Sequence, residues 1–290
     1  MKRILLLGAN GQLGTDIHFV FSSFPQYELI DVYRKDLDVE KDDIRQFFSQ
    51  VEFDILINCT SYHKTDECED FPSKSLVVNS LAVSEMAKYC HEHDKVLYHF
   101  TTNYIFDGKK NRPYKEDDCA NPLNVYGISK LAGEHFISNF HDKYFIFRVS
   151  SLFGKAGASG KGGNFVETMI QLGKQGKTIR VVDDQVMSPT HTLEIAKAVF
   201  TFIDKKIDAY GIYHCSGEGE CSWYEFAKEI FVQLNMDVDL IPILHTGYPT
   251  KAKRPVYSVL DNTKINEIYQ MVNWKNSLTE YLYRKGHLTF

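Results

Sequence analysis

A short apolar segment near the N-terminus runs directly into three glycines spaced three residues apart. Residues 3–7 read RILLL, and the glycines follow at Gly8, Gly11 and Gly14. In a strand–turn–helix unit, the first glycine permits a tight turn, the second lets the backbone approach a pyrophosphate, and the third lets the helix pack on the strand. The N–H groups at the start of that helix then face the anion. The pattern predicts a dinucleotide-binding fold; the alternative is a glycine-rich turn that binds nothing.

The composition is that of an ordinary globular protein. The 290 residues are 43% hydrophobic and 24% charged, with a formal net charge of −5. This length allows one large α/β unit or two domains. Because the charges are interspersed and form no basic run, we expect no nucleic-acid polymer as a partner. We also expect no membrane span and no signal peptide, since the first apolar run is short and becomes a strand.

The six cysteines form no C-x-x-C pair. They are Cys59, Cys68, Cys90, Cys119, Cys215 and Cys221. We interpret them as reduced thiols, which favours a cytoplasmic location and argues against a disulfide framework or a zinc site.

Apolar runs alternate with helical patterns through the first 150 residues. The predicted strands are Arg3–Leu7, Glu28–Tyr33, Asp54–Asn58, Val96–Thr101 and Tyr144–Val149. The predicted helices are Gln12–Phe21, Asp42–Gln50, Pro72–His91 and Leu123–Phe140. This alternation predicts an α/β fold, a Rossmann-type doubly wound parallel sheet that binds ligands at the carboxyl ends of its strands.

The pattern loosens after residue 150. We assign 1–150 to an NAD(P)-binding Rossmann domain and 151–290 mainly to a smaller substrate-binding subdomain, with some segments returning to the Rossmann sheet. Residues 156–164 are rich in glycine and predict a mobile loop over a site. Further predictions are a strand at Thr178–Val182 and helices at Leu193–Ile203 and Trp223–Leu234.

Tyr126 and Lys130 lie four positions apart in the sequence, so on a helix their side chains share one face. A nearby ammonium group lowers the pKa of a phenol, which then exchanges a proton more readily with an alcohol or sugar oxygen. Thr101 and Thr102, at the end of the fourth predicted strand, offer hydroxyls to the same oxygen. A solvated helix face is the alternative for the Tyr–Lys pair.

An ordered series of motifs resembles the dTDP-4-dehydrorhamnose reductases, a family of extended short-chain dehydrogenases/reductases. Besides the glycines, 101–108 (TTNYIFDG) is similar to S-T-D-Y-V-F-D-G, and 122–134 (PLNVYGISKLAGE) matches P-x-N-x-Y-G-x-[ST]-K-x-x-G-E. Residues 163–169, 184–190 and 254–261 continue the series, so the resemblance covers essentially the whole chain.

The resemblance implies that NAD(P)H reduces the C4 keto group of a 4-keto-6-deoxy sugar nucleotide, most directly dTDP-4-dehydro-L-rhamnose to dTDP-L-rhamnose. It implies that Tyr126 donates the proton, that Lys130 tunes Tyr126 and holds the nicotinamide ribose, and that Thr102 orients the carbonyl oxygen. The cofactor-binding residues it implies, with Tyr126 and Lys130, are Gly8, Asn10, Gly11, Gln12, Leu13, Arg34, Asp38, Val39, Cys59, Thr60 and Tyr62. The substrate-binding residues it implies are Thr102, Asn103, Tyr104, Phe106, Ser151, Asn164, Met187 and Arg254.

The end of the second predicted strand bears on cofactor choice. The usual acidic position of the family is Tyr33, and Arg34 and Lys35 follow it. Cations there suit the 2′-phosphate of NADPH. NADH stays open, because Asp31 is an alternative discriminating residue and the two cations are then ordinary surface charges.

The chain departs from the family at several positions. Asn103 replaces an aspartate, Ser151 a tryptophan, Met187 a glycine and His63 a small polar residue, and these changes concern substrate recognition. Thr60 and Ser61 stand where the family has two alanines. Asn79 matches an asparagine that lies beside the cofactor in the family; the alternative is that its amide is only part of the helix interior. Asp16 matches one metal-binding glutamate of some members, but Leu193 replaces another, so we predict no metal.

Three alternatives remain at this point. One is a reductase of another nucleotide sugar and the second is an epimerase on the same fold. The third is a non-catalytic NADP-binding protein, like the regulatory subunit of methionine adenosyltransferase. A homodimer is also left open.

Overall fold

The structure is a computed structural model that describes residues 1–158 and 163–289. The strands are β1 (Lys2–Leu7), β2 (Tyr27–Val32), β3 (Ile55–Asn58), β4 (Val96–Thr102), β5 (Tyr144–Val149), β6 (Leu152–Phe153), β7 (Ile179–Val182), β8 (Val186–Met187), β9 (Thr190–His191), β10 (Gly211–His214), β11 (Cys221–Ser222) and β12 (Leu240–Ile243). The α-helices are α1 (Gln12–Phe21), α2 (Ile44–Ser49), α3 (Thr65–Asp70), α4 (Pro72–Leu76), α5 (Ala82–Glu92), α6 (Val125–Phe140), α7 (Phe165–Gly173), α8 (Thr192–Asp204), α9 (Trp223–Gln233), α10 (Thr263–Asn266) and α11 (Trp274–Arg284). Short 3₁₀ turns cover Asn103–Ile105 and His245–Gly247.

Six strands form one parallel sheet in the order β10-β5-β4-β3-β1-β2. The predicted fold class is therefore confirmed. The sheet reverses its direction of growth between β1 and β3, so a ligand crevice is expected at the carboxyl edge near that point.

The apolar run of β1 is explained by burial on both faces of the sheet. Ile4 and Leu6 pack in one apolar cluster with Ile17 of α1 and Val199 of α8. Leu5 and Leu7 belong to a second cluster on the opposite face, with helices α2, α5 and α6. Because successive side chains of a strand point to opposite faces, a strand covered on both sides is apolar at every position.

The C-terminal half contributes to both parts of the molecule. α8 packs on α1, and β10 pairs with β5 at the edge of the central sheet. The remaining strands of the C-terminal half form three two-stranded sheets, β11-β8, β12-β7 and β6-β9. A third apolar cluster, which includes Ile170 and Phe226, lies among them.

Several predicted boundaries shift because of side-chain caps. α2 begins at Ile44, not Asp42, because Asp43 accepts a hydrogen bond from Gln46 N (3.0 Å) and ends the extended segment. α6 begins at Val125, not Leu123, because Asn124 caps it by accepting from Gly127 N (2.8 Å).

The predicted helix Pro72–His91 is interrupted. α4 and α5 are joined by a π-helical turn over Val77–Leu81, and α5 ends at Glu92. The sequence did not predict the helices α3, α7, α10 and α11 or the strands β6, β8, β9, β10, β11 and β12. Of the predicted mobile loop 156–164, residues 159–162 lie outside the described residues. Over the described ranges, no helix combines the length and the apolar character needed to cross a membrane.

Candidate active site

A cavity of about 660 Å³ lies at the carboxyl edge of the central sheet. Its wall contains a residue at or just beyond the end of each of the first five strands, namely Gly8, Tyr33, Cys59, Thr102 and Ser151. Parallel strands place these ends at one edge, so side chains distant in sequence meet in one crevice.

The glycine-rich turn forms one end of the cavity. Gly8 has a φ of +73°, and a Cβ atom on Gly14 would lie only 2.3 Å from the Gly8 carbonyl oxygen. α1 begins at Gln12 with no side-chain cap and no acidic residue in its first turn. The first N–H groups of the helix are therefore left for an anion, and Gly11, Gln12 and Leu13 line the cavity there.

Every residue in the set of cofactor-binding residues that the resemblance implies lines this cavity. Beyond the glycine-rich turn, these residues are Asn10, Arg34, Asp38, Val39, Cys59, Thr60, Tyr62, Tyr126 and Lys130.

Two cations and two carboxylates meet beyond the end of β2. Arg34, whose side chain is 67% exposed, forms ion pairs with Asp38 and Glu40, each at 3.2 Å. Lys74 of α4 pairs with the same Glu40 carboxylate at 3.1 Å and also lines the cavity. Lys74 was missed in the sequence because only the fold brings α4 beside this loop.

The two other residues considered for cofactor choice lie elsewhere. Lys35 is not in the cavity wall; its ammonium lies 5.7 Å from the centre of the Tyr33 ring. Asp31 also does not line the cavity and forms an ion pair with His18 Nδ1 at 2.7 Å. Of the cations at or near the end of β2, Arg34 and Lys74 therefore line the cavity and Lys35 does not. Lys64, which pairs with Glu67, lines it as well.

Tyr126 and Lys130 lie on the cavity face of α6. Tyr126 is half-buried, and Lys130 is only 2% exposed. Burial raises the pKa of Tyr126 to about 12, against the effect of hydrogen bonds with Thr102 and Ser61. Burial also lowers the pKa of Lys130 to about 8, against the charge of Glu134.

The sequence predicts a lowered pKa for Tyr126, whereas the pKa in the structure is raised. Removal of water from the phenol outweighs the hydrogen bonds with Thr102 and Ser61, and burial also disfavours the positive form of Lys130. At neutral pH, Tyr126 is protonated and able to donate.

Thr102 ends β4 beside the phenol, and Asn103 begins the 3₁₀ turn that follows. Thr102 Oγ1 accepts a hydrogen bond from Tyr104 N (3.2 Å) and donates to Asn103 Oδ1 (3.3 Å). The Asn103 amide nitrogen donates to Ser258 Oγ (2.8 Å) and Ser150 Oγ (3.1 Å). Asn103 thus ties the C-terminal segment around Ser258 to the end of the sheet.

The residues predicted to bind substrate divide into two groups. Thr102, Asn103, Tyr104 and Ser151 line the cavity. Phe106, Asn164, Met187 and Arg254 do not.

Each member of the second group has another place in the structure. Phe106 stacks on Tyr114, with ring centres 4.2 Å apart, and Arg254 pairs with Asp66 at 3.0 Å. Met187 is 3% exposed within the third apolar cluster.

Asn164 connects three segments. It caps α7, and its amide nitrogen lies 3.4 Å from Gln12 Oε1 and 3.1 Å from the Tyr281 hydroxyl. It therefore supports the glycine-rich turn through Gln12 without entering the wall.

One aromatic residue in the cavity wall was missed. Trp223, the first residue of α9, lines the cavity together with Ser151, which has a φ of +44° and stands where the family has a tryptophan. No local pattern around Trp223 indicates this role, because its approach depends on how α9 packs.

The buried Asp16 carboxylate is bound by other side chains of the protein. Its carboxylate accepts from Thr192 Oγ1 (2.6 Å) and from Arg284 Nη1 (2.9 Å), and it is 1% exposed. Over residues 1–158 and 163–289, no three His, Cys, Asp or Glu side chains are grouped so as to hold a metal ion.

The chain matches known proteins over its full length. The family model described as RmlD substrate binding domain matches residues 1–286. The dTDP-4-dehydrorhamnose reductase of Aggregatibacter actinomycetemcomitans is 35% identical, with 96% of this chain and 97% of that protein covered. The spore coat polysaccharide biosynthesis protein SpsK of Bacillus subtilis is 33% identical, with 99% of each covered.

A solved structure is also similar. The dTDP-4-dehydrorhamnose reductase of Bacillus anthracis, determined in complex with NADP, has a TM-score of 0.91 and 35% identity, and the match covers 98% of this chain and 100% of that one.

Proposed function

Because the chain belongs to the RmlD substrate binding domain family of dTDP-4-dehydrorhamnose reductases, we propose that it reduces the C4 keto group of a 4-keto-6-deoxy sugar nucleotide with NADPH. The proposed substrate is dTDP-4-dehydro-L-rhamnose and the product dTDP-L-rhamnose. The observation that carries this proposal is the single cavity whose wall holds the glycine-rich turn together with Thr102, Tyr126 and Lys130.

The residues present fit a phosphorylated dinucleotide. The uncapped start of α1 suits the pyrophosphate, and Arg34 and Lys74 suit a 2′-phosphate. When bound, NADPH supplies the hydride for the reduction. Asp38 and Glu40 partly neutralise the two cations, which leaves NADH as a weaker alternative.

Tyr126 is the proposed proton donor. The phenol is protonated at neutral pH and can give its proton to the more basic alkoxide that forms at C4. Thr102 holds the carbonyl oxygen beside it. Lys130, with a pKa of about 8, is mainly protonated at neutral pH and stabilises the phenolate that remains.

The proposed sugar-nucleotide pocket lies towards the C-terminal half. The side chains that line it are those of Tyr104, Ser151 and Trp223. Behind them, Asn103 fixes the positions of Ser258 and Ser150 through its hydrogen bonds. A homodimer and a cytoplasmic location stay predictions, which sedimentation of the purified protein and cell fractionation test.

Stoichiometry tests the function. The purified protein is mixed with NADPH and a panel of 4-keto-6-deoxy sugar nucleotides, and NADPH absorbance and sugar products are followed. One NADPH consumed per product, with dTDP-4-dehydrorhamnose preferred, supports the proposal. An isomerised sugar without net NADPH loss would indicate an epimerase. No turnover on any member of the panel, together with a co-purifying larger protein, would indicate the regulatory-subunit alternative.

A further inference from the structure

Ser61 adds a hydroxyl to the cavity at a position where the resembled family has an alanine. It lines the same cavity as Tyr126 and Thr102. Its Oγ atom donates a hydrogen bond to Asn79 Oδ1 at 3.2 Å. The Ser61 side chain is thus held from behind by a residue that does not itself line the cavity.

The orientation of the Asn79 amide is fixed by the backbone of one residue. Tyr62 N donates to Asn79 Oδ1 (2.9 Å), and Asn79 Nδ2 donates to Tyr62 O (3.0 Å). Asn79 is 1% exposed and lies in the π-helical turn between α4 and α5. Because the oxygen side of the amide faces Ser61, the Ser61 hydroxyl is the donor in their hydrogen bond, and its lone pairs remain free to accept.

Asn79 also connects this group to the helix that carries the phenol. Its Nδ2 atom donates to Ser129 Oγ (3.0 Å), and Ser129 Oγ donates to Tyr126 O (2.8 Å). Ser61 and Tyr126 are therefore held in one hydrogen-bonded frame. The Ser61 hydroxyl interacts with the phenol, and this contact lowers the pKa of Tyr126 against the larger effect of burial.

Taking the proposed reductase activity as its basis, we propose that Ser61 is a second hydroxyl partner of Tyr126 that turns from Asn79 to the phenolate oxygen as the proton leaves. Before transfer, the Ser61 hydroxyl donates to Asn79 Oδ1. During transfer, the Tyr126 O–H bond breaks and an O–H bond forms at the sugar C4 oxygen. Ser61 keeps its own proton and changes only its direction.

This arrangement does not conduct a proton onward. The Asn79 oxygen that faces Ser61 carries no proton and the amide N–H groups are too weakly acidic to pass one on, and Oδ1 keeps the hydrogen bond from Tyr62 N after Ser61 turns away. The effect of Ser61 is therefore limited to stabilising the charged form of Tyr126, in addition to Thr102.

The first test compares Ser61→Ala with a matched control, Ser138→Ala, an exposed serine on α6 whose hydroxyl bonds only to the His135 carbonyl among the described contacts. Loss of one hydrogen bond predicts that Ser61→Ala lowers kcat roughly twofold to tenfold with an unchanged NADPH Kd, and that the solvent deuterium isotope effect on kcat increases. In a Tyr126→Phe background, Ser61→Ala has no further effect. Equal kcat and isotope effect in Ser61→Ala and the native protein would overturn the inference.

The second test needs no substrate. Protein labelled at tyrosine Cζ with ¹³C is studied by NMR, with the Tyr126 signal assigned by its loss in Tyr126→Phe. Ser61→Ala is expected to shift this signal and to move its titration to higher pH, whereas Ser138→Ala leaves it in place. A Tyr126 signal unmoved by Ser61→Ala would overturn the inference even if the native protein proved inactive on sugar nucleotides. A shifted signal with an inactive native protein would refute the proposed function alone.

Discussion

The two ends of the cavity are built in different ways. The cofactor end is built around strand ends and the turns directly after them, and every cofactor-binding residue that the resemblance implies lines the cavity. The opposite end, towards the C-terminal half, is formed by side chains from separate segments. There Thr102, Asn103, Tyr104 and Ser151 line the cavity, whereas four other residues predicted to bind substrate do not.

This difference follows from how each wall is held together. At the cofactor end, a local pattern of glycines fixes the backbone, and the parallel sheet brings strand ends to one edge. At the other end, the position of Trp223 depends on α9 packing against a cluster that includes Phe165, whose ring centre lies 4.7 Å from that of Trp223. We infer that the shape of the cofactor end depends mainly on its backbone, and that the shape of the C-terminal end depends mainly on how its side chains pack.

The largest effect is expected where the two ends meet, at Tyr126. Tyr126→Phe removes the proposed proton donor while the ring still packs, so we expect kcat to fall by a factor of roughly 10²–10⁴ with little change in NADPH affinity. Steady-state kinetics and a fluorescence titration with NADPH measure both quantities. Near-normal turnover at saturating substrate would remove Tyr126 from the mechanism.

The next largest effect concerns Met187, which was predicted from the sequence to contact substrate. Because Met187 is 3% exposed in an apolar cluster, Met187→Ala should lower the free energy of unfolding by about 2–5 kcal/mol. Chemical denaturation measures this loss, and Val232→Ala, at an exposed position on α9, serves as the control. Unchanged stability combined with a changed sugar-nucleotide KM would place Met187 at the substrate after all.

A smaller effect is expected at the backbone of the cofactor end. Gly14→Ala places a Cβ atom 2.3 Å from the Gly8 carbonyl oxygen, so the turn must shift, at a cost of about 1–3 kcal/mol, and NADPH binding should weaken. Gly247→Ala is the control, because its nearest neighbour would lie at 3.9 Å. Equal NADPH Kd values for the two variants would contradict the view that backbone shape builds this end.

The smallest effect concerns cofactor choice. If Arg34 and Lys74 bind a 2′-phosphate, Arg34→Gln and Lys74→Gln should each shift the preference for NADPH over NADH by about tenfold, a modest value because Arg34 is largely exposed. Lys35→Gln is the matched control and should have little effect, since Lys35 does not line the cavity. The reverse order of the three variants would show that Lys35 is the discriminating cation.

The features that could be predicted from the sequence are those that leave a local signal, and the features that depend on tertiary packing were missed. The five strands of the N-terminal half and the turn at Gly8 were predicted because burial on two faces and glycine spacing leave local signals. β10 was missed because a strand of four residues that begins with a glycine gives little pattern, although the strand completes the sheet. Lys74 and Trp223 were missed because only tertiary packing brings them to the cavity. The raised pKa of Tyr126 was missed because spacing reveals the neighbouring charge but not the loss of water.

The fate of the hydride tests the central claim most directly. The native protein is incubated with dTDP-4-dehydrorhamnose and NADPH in which both hydrogens at nicotinamide C4 are replaced by deuterium, and the sugar product is analysed by mass spectrometry and NMR. The account predicts a dTDP-rhamnose with one deuterium at C4 and one NADPH oxidised per molecule formed, and it predicts that this product is nearly absent with Tyr126→Phe. A product without deuterium at C4, or an isomer formed without net oxidation of NADPH, would contradict it.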